Sequence, residues 1–186
     1  LFRSVTWDAS AATKGGWSSF MAKEISEEPQ AVADTIRGRI KDGLVHIDGF
    51  DPKALAGIDR IIVLGCGTAA YSGLVGKYAI EQWARIPVDV ELSHEFRYRE
   101  PVLGPNTLVV SVSQSGETMD TLMAVKYARE IGARTLSICN TQGATIPRES
   151  DDIIYTHAGP EVAVASTKAF VAQVTALYLL GLAIGQ

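Results

Sequence analysis

The strongest constraint on the fold is a regular alternation between short apolar runs and longer segments with helical patterning. The run Ile-Ile-Val-Leu at 61–64 contains no polar residue, which is typical of a strand covered on both faces of a sheet. Five such strands are predicted, at residues 60–64, 87–92, 107–112, 134–139 and 153–156. Helices are predicted over residues 68–83 and 117–131 and from about 167 onward. Strands that alternate with helices indicate parallel βαβ units.

Parallel βαβ units have right-handed crossovers, which favour helices on both faces of the sheet. The predicted fold is therefore α/β, a three-layer αβα sandwich with a mainly parallel five-stranded sheet of flavodoxin-like or Rossmann-like type. Ligands of such folds bind beyond the carboxyl ends of the strands. The residues that directly follow each predicted strand are therefore the candidates for a functional site.

Composition excludes several classes of protein. The 186 residues are enough for roughly one domain with its own core. A net charge of −4 argues against a binder of nucleic acid or of a membrane surface, which would carry a basic patch. The most apolar stretch, residues 169–184, is shorter than the roughly 20 residues that a membrane-spanning helix needs. We therefore expect no nucleic-acid partner and no membrane association.

The cysteines and histidines predict a reduced protein without a metal. Two isolated thiols, Cys66 and Cys139, indicate a cytoplasmic location rather than a disulfide framework. Neither has another Cys or a His at the spacing of a metal site, and His46, His94 and His157 are far apart in sequence. We therefore expect no metal, and we expect the histidines to be structural.

The two ends of the chain suggest a piece of a longer protein. Residues 9–16 are small and polar without a period, which predicts a linker over residues 1–17. Helical patterning starts near Phe20, is interrupted where Pro29 can open a new helix, and is followed by a predicted turn at 41–43. The pattern is still helical at the last residue. We therefore predict a linker remnant over 1–17 and one domain over 18–186.

The loop after the first predicted strand leaves three interpretations open. Residues 65–70 read Gly-Cys-Gly-Thr-Ala-Ala, a loose form of the G-x-G-x-x-A dinucleotide fingerprint, and Glu91 could be the acid that binds the ribose. The same residues fit a tight strand-to-helix turn. They also fit a helix N-terminus that holds part of a sugar or a phosphate.

The loop after the third predicted strand is the most informative segment. Residues 113–118 read Ser-Gln-Ser-Gly-Glu-Thr at a predicted helix N-terminus, where free N–H groups and the helix dipole favour an anion. Gly116 would let the backbone approach a ligand closely. Simple capping by Ser115 needs only one hydroxyl, and no P-loop lysine is present. The cluster therefore favours a phosphate monoester.

The segment after the fifth strand is less decisive. Ser166 or Thr167 is expected to cap the last helix, and Lys168 is expected to be solvated, with a ligand-binding role equally open. Glu161 is a possible base for enolisation, although a surface salt bridge is the favoured interpretation.

At residues 113–118 and 165–170, Ala-Ser-Thr-Lys-Ala-Phe, the sequence resembles a sugar isomerase (SIS) domain. The resemblance covers about residues 14–186 and is most specific to glutamine-dependent aminotransferases that make glucosamine 6-phosphate from fructose 6-phosphate. Supporting segments are residues 20–25 with Pro29, 66–68, 95–99, 137–140 and 148–151. Proteins of this family carry an amidotransferase domain followed by two SIS halves, and this chain is similar to the first half.

The resemblance implies a hexose 6-phosphate site in this chain. Ser113, Ser115 and Thr118 would hold the phosphate, with Gln114 nearby. Thr68 would contribute to the site from the loop after the first strand, and the backbone of Val164 and the hydroxyl of Ser166 would contact the sugar. The family needs no cofactor for this reaction. Its catalytic residues are expected in the second SIS half and in a neighbouring subunit, so the chain alone is expected to be inactive.

Two departures and two alternatives accompany this prediction. Ala69 stands where the family often has Ser, which removes one hydroxyl contact, and Ala163 replaces a common Gly. A non-catalytic SIS sensor and an NAD-binding Rossmann domain remain as competing interpretations. The apolar residues 169–184 suggest an interface, and SIS domains commonly pair, so a homodimer is expected.

Overall fold

The computed structural model describes residues 12–186, so most of the predicted linker lies outside the described residues. Its described part, residues 12–17, contains a turn at Gly15 and Gly16 and no strand. Two helices follow, α1 at Phe20–Ser26 and α2 at Glu28–Ile36. Pro29 stands in the first turn of α2, which confirms the predicted interruption of the helical pattern.

A small hairpin precedes the main sheet. Strands β1 at Ile40–Lys41 and β2 at Leu44–Val45 pair in antiparallel fashion through a two-residue turn. Asp42 and Gly43 both have positive φ, at 53° and 78°, as a tight hairpin turn of this length requires. The predicted turn at 41–43 is confirmed, whereas the short strands beside it were not predicted because each has only two residues.

The central sheet has five strands, all parallel. They are β3 at Arg60–Gly65, β4 at Val88–Leu92, β5 at Thr107–Ser113, β6 at Arg134–Cys139 and β7 at Asp152–Tyr155. Their spatial order is β4-β3-β5-β6-β7, which is the flavodoxin-like order. The order reverses direction between β3 and β5, and a crevice therefore opens beyond the carboxyl ends of these two strands.

Helices cover both faces of the sheet, which confirms the predicted three-layer sandwich. They are α3 at Thr68–Ala84, α4 at Ser93–Phe96, α5 at Met119–Glu130, α6 at Thr145–Arg148 and α7 at Lys168–Gly185. Ile61 and Val63 of β3 pack on one face with residues of α3 and α7. Ile62 and Leu64 of the same strand pack on the other face with α4 and α5. The alternation follows from the two-residue period of a strand.

Helix α7 is part of the core. By length and composition alone its 18 residues could cross a membrane, but over half of that window is buried inside the protein. Ala176, Leu177 and Leu180 lie in the same cluster as the sheet residues, and α7 packs on α2 and α3. Most of the apolar stretch that suggested an interface is therefore used within this chain.

Candidate functional site

A cavity of about 330 Å³ lies at the carboxyl ends of β3 and β5, where the sheet order reverses. Three segments of the chain line it: the loop after β3, the loop after β5 and the segment before α7. All seven residues that the sequence predicted as a sugar-phosphate site line this one cavity. They are Thr68, Ser113, Gln114, Ser115, Thr118, Val164 and Ser166.

The loop after β5 is folded by its own hydroxyl groups. The Oγ of Ser113 accepts a hydrogen bond from the backbone N–H of Gly116 at 3.0 Å, and the Oγ of Ser115 accepts one from Glu117 at 3.2 Å. Helix α5 begins at Met119, two residues later than predicted, and Thr118 stands at its N-cap position without a side-chain cap bond. The capping interpretation of Ser115 is therefore wrong. The hydroxyl oxygens of Ser113 and Thr118 lie 3.5 Å apart beside the cavity.

Gly116 is required by packing within the protein. Its φ is +68°, and a Cβ at this position would lie 2.6 Å from the Cβ of Ala144 and 2.7 Å from the Sγ of Cys139. The expectation that Gly116 makes room for a ligand is therefore wrong, because the space belongs to these two side chains. The absent side chain instead lets the loop close tightly on β6.

The loop after β3 brings Cys66, Thr68 and Ala69 to the cavity. Gly67 has a φ of +56°, so the tight strand-to-helix turn is one correct interpretation of this segment. Glu91 does not line the cavity and instead accepts two hydrogen bonds from the guanidinium of Arg99. The residue predicted to bind a ribose is therefore already paired elsewhere.

Glu161 fastens the start of α7. One carboxylate oxygen accepts hydrogen bonds from the backbone N–H groups of Thr167 at 2.9 Å and Ala169 at 3.0 Å. The other accepts from the hydroxyl of Ser166 at 3.3 Å. Thr167 stands at the expected N-cap position of α7, but its side chain makes no cap bond. The expected surface salt bridge is wrong, since Glu161 forms no ion pair with any residue in 12–186. A carboxylate at a helix N-terminus also complements the helix dipole.

A second carboxylate, that of Glu24 in α1, holds the same segment from the other side. One of its oxygens accepts from the N–H groups of Val162 at 2.7 Å and Ala163 at 3.1 Å. The other accepts from the hydroxyl of Thr167 at 3.2 Å. Glu24 is only 2% exposed, so these bonds form away from water. Sequence reasoning missed this residue because 138 positions separate it from Val162.

Lys168 is buried, which contradicts the expectation that it is solvated. Its Nζ lies 2.7 Å from a carboxylate oxygen of Glu27, and the Nζ of Lys23 lies 3.5 Å from the other. Only 5% of the Lys168 side chain is exposed. The first residue of α7 is therefore tied to the junction of α1 and α2. Together with Glu24, this pairing attaches the N-terminal helices to the wall of the cavity.

Val164 lines the cavity from the segment before α7. The residue is fully exposed, with a relative accessibility of 107%, which is unusual for an apolar residue. Its side chain therefore contributes nothing to the core. The expected contact of a ligand with its backbone stays a prediction.

Gln173 of α7 also lines the cavity, although sequence reasoning assigned it no role. It is 3% exposed, and its Oε1 is the one buried side-chain nitrogen or oxygen atom in residues 12–186 that has no hydrogen-bond partner. Such an atom costs about 1–3 kcal/mol in a folded protein. The signal in the sequence was a single amide within the apolar stretch 169–184.

The cavity is polar and has almost no charge of its own. Glu161 is its one charged lining residue, and no lysine, arginine or histidine in the described part of the chain lines it. An anion would therefore be held by hydroxyl groups, by backbone N–H groups and by the dipole of the 12-residue helix α5. No group of three or more His, Cys, Asp or Glu within residues 12–186 could hold a metal ion.

The fold and the cavity define a class of α/β sandwiches of flavodoxin-like order, with a polar cavity at the switch point of the parallel sheet. Comparison with known families matches the SIS domain over residues 54–183, and the chain belongs to this family. Among curated proteins, the glutamine–fructose-6-phosphate aminotransferase (isomerizing) of Leifsonia xyli subsp. xyli is 71% identical over 98% of this chain. The chain spans 30% of the length of that protein.

Solved structures give the same result. The C-terminal domain of glucosamine-fructose-6-phosphate aminotransferase from Francisella tularensis matches with a TM-score of 0.87 and 39% identity, over 93% of this chain and 49% of that one. The sugar isomerase domain of the RpiR transcription factor from Sphaerobacter thermophilus has a TM-score of 0.62 and 20% identity. That match covers 88% of this chain and 87% of the regulator's chain. That second likeness shows the shared fold alone. The sequence is therefore far closer to the aminotransferases than to this regulator, and the NAD-binding interpretation has no support.

Proposed function

We propose that the chain binds a hexose 6-phosphate in the cavity beyond β3 and β5. The observation that carries this proposal is the meeting of three separate segments, rich in hydroxyl groups, at one cavity. The phosphate lies in the loop after β5, where Ser113, Ser115 and Thr118 offer hydroxyl groups and Gln114 lies beside them. The dipole of α5 favours the negative charge.

The sugar extends from the phosphate toward the other two segments. Thr68 approaches it from the start of α3, and the backbone of Val164 and the hydroxyl of Ser166 approach it from the segment before α7. Glu24 and Glu161 keep this segment in place. The site is therefore built before a ligand arrives, which reduces the entropy lost on binding.

The reaction that this site serves is the conversion of fructose 6-phosphate and glutamine-derived ammonia to glucosamine 6-phosphate. Support comes from the 71% identity to an aminotransferase named for that reaction. Because the chain spans 30% of that relative, it supplies the sugar-phosphate half of the isomerase region. We expect no turnover of fructose 6-phosphate by the 186-residue chain alone, and product formation by the pure chain would contradict this expectation.

Thermal stabilisation by ligands tests the proposed site. A ligand that binds only the folded state raises the melting temperature by mass action. Fructose 6-phosphate and glucosamine 6-phosphate should stabilise the chain, and NAD should not. The double variant Ser113→Ala/Ser115→Ala should lose this response, whereas Ser18→Ala, an exposed position outside the cavity, should keep it. A response to NAD, or none to either sugar phosphate, would contradict the proposal.

The proposed assembly is a cytoplasmic homodimer. Helix α3 exposes Tyr71, Leu74, Val75 and Tyr78 along its outer surface, where an apolar partner surface could cover them. Both cysteines are free, which suits a reducing compartment. Sedimentation equilibrium of the chain should give twice the monomer mass, and Tyr78→Glu should shift the distribution toward the monomer.

A further inference from the structure

Gln173 occupies an unusual place on α7. The positions three and four residues away, on the same side of the helix, are Ala169, Phe170, Ala176 and Leu177. Their hydrocarbon side chains offer no hydrogen bond, so these neighbours give the amide no partner. An apolar residue would suit these surroundings better if packing were the whole purpose of the position.

The amide of Gln173 has no hydrogen-bond partner within the described residues. Its Oε1 is fully buried and unpaired, and its Nε2 forms no hydrogen bond with any residue in 12–186. Folded proteins pair about nine-tenths or more of their buried polar groups, so an exception needs a reason. Gln173 lines the same cavity as Ser113 and Ser166, and a ligand in that cavity would supply the missing partner.

We infer that Gln173 is a specificity-determining residue whose side-chain amide hydrogen-bonds a hydroxyl group of the bound sugar; this inference rests on the proposed function. A carbonyl oxygen can only accept, so its partner must carry a hydrogen. A sugar hydroxyl donates to Oε1, and a neighbouring hydroxyl oxygen accepts from Nε2. A phosphate dianion has no hydrogen to donate. Gln173 therefore recognises the sugar body, while the loop after β5 holds the phosphate.

The substitution Gln173→Met separates this role from a structural one. Methionine keeps the length of the side chain and removes both polar atoms. Because the amide has no partner in the unliganded protein, the melting temperature without ligand should stay the same or rise. The affinity for fructose 6-phosphate should fall about tenfold, whereas the affinity for inorganic phosphate should change less than about twofold.

Two variants serve as controls. Thr175→Val lies two residues further along α7, and its hydroxyl donates within the helix to the carbonyl of Val171 at 2.8 Å. It should leave both affinities unchanged. Gln173→Leu has a different shape and should reproduce the loss seen with Gln173→Met, so that the result does not depend on one side chain packing well.

Isothermal titration of both ligands distinguishes the outcomes. Equal weakening of fructose 6-phosphate and inorganic phosphate, or a melting temperature several degrees lower without ligand, would show that Gln173 is structural and overturn the inference. Unchanged binding of fructose 6-phosphate in both variants would overturn it while leaving the proposed function intact. No binding of fructose 6-phosphate by the unaltered chain would overturn the proposed function and this inference together.

Discussion

The carboxylate of Glu24 accepts a hydrogen bond from the backbone N–H of Val162 at 2.7 Å, although 138 residues separate the two in sequence. Glu24 lies in α1, before the region matched to the SIS family, and Val162 lies in the segment that lines the cavity. The N-terminal helices are therefore part of the machinery that shapes the site. This relationship makes the position of the segment before α7 depend on a distant helix.

Removal of the Glu24 carboxylate should loosen that segment. Glu24→Ala leaves the N–H groups of Val162 and Ala163 and the hydroxyl of Thr167 without their acceptor. The free energy of unfolding should fall by about 2 kcal/mol, as expected for hydrogen bonds to a charged group. Urea unfolding measures the loss, and hydrogen exchange should show the Val162 and Ala163 amides exchanging faster.

Glu130→Ala is the matched control for this prediction. Glu130 is exposed near the end of α5, and its side chain makes no hydrogen bond or ion pair with any described residue. Its removal should change the free energy of unfolding by less than about 0.5 kcal/mol. Equal effects of the two substitutions would show that the Glu24 contacts contribute little.

The buried pairing of Lys168 with Glu27 should be measurable as an interaction energy. Lys168→Met leaves the Glu27 carboxylate without its closest cation, and the free energy of unfolding should fall by about 2 kcal/mol. The double variant Glu27→Gln/Lys168→Met should recover part of this loss, because residue 27 then carries no charge, and Lys23 keeps its hydrogen bond to the carbonyl of Thr13. A double-mutant cycle by urea unfolding gives the coupling, and strictly additive effects would contradict it.

Thr118 offers a clean test of the phosphate end of the cavity. Its side chain makes no cap bond, and its one hydrogen-bond contact, with the hydroxyl of Ser113, is long at 3.5 Å, so Thr118→Val should lower the free energy of unfolding by less than about 1 kcal/mol. Fructose 6-phosphate and inorganic phosphate should both bind about tenfold more weakly, because each has lost a hydroxyl contact to the phosphate. Thr118→Ser keeps the hydroxyl and should retain binding. Titration of both ligands with both variants checks this.

A substitution at Ala69 should raise the affinity for fructose 6-phosphate. It lines the cavity in the first turn of α3, at the position where the family often has a serine. Ala69→Ser adds a hydroxyl that can donate to the ligand, and fructose 6-phosphate should bind about fivefold more tightly. Calorimetric titration measures the gain. An unchanged or weaker affinity would mean that the added oxygen does not reach the ligand.

Cys139 should make the protein sensitive to alkaline pH. Burial raises the pKa of its thiol from 9.0 to about 11, so the folded state keeps the proton that the unfolded state loses above pH 9. The stabilisation is complete below pH 9 and is lost as the pH rises through 11, with a fall of about 2 kcal/mol in the free energy of unfolding. Urea unfolding at a series of pH values between about 8 and 11 should show this fall.

The control for this pH dependence is the variant Cys139→Ala, in which the slope of the free energy of unfolding against pH is measured. That variant is less stable at every pH because a buried atom is missing, but its stability should decline more gently above about pH 9. Cys66→Ala should keep the steep slope. If the free energy of unfolding falls with pH equally steeply in the unaltered chain and in Cys139→Ala, the alkaline sensitivity belongs to other groups.

The sequence predicted the strands and the cavity well because both depend on local patterns. A continuous apolar run such as 61–64 can only be a covered strand in a chain of alternating elements. The carboxyl ends of parallel strands then meet at one edge, so the order of the elements is enough to bring Thr68 and Ser113 together. The roles assigned to them in binding stay predictions.

The errors concern side chains whose partners are set by the way the chain packs or turns, whether these partners are distant or a few residues away. Lys168 was expected in solvent because a charged residue beside a helix start is usually exposed, yet α1 and α2 pack over it and bring Glu27 to it. Glu161 was expected to pair with a cation, yet the chain turns so that its carboxylate meets the N–H groups of α7. No local pattern in the sequence records either contact.

By itself, the sequence determined the order of strands and helices and the loops that carry hydroxyl groups, because hydrophobic periodicity and turn chemistry act over a few neighbouring residues. Tertiary structure alone decided which carboxylates hold the segment before α7 and which buried amide lacks a partner. Glu24 and Gln173 obtained their places from the packing of α1 and α7 against the rest of the fold. Such contacts depend on the three-dimensional approach of whole helices, which no short stretch of sequence specifies.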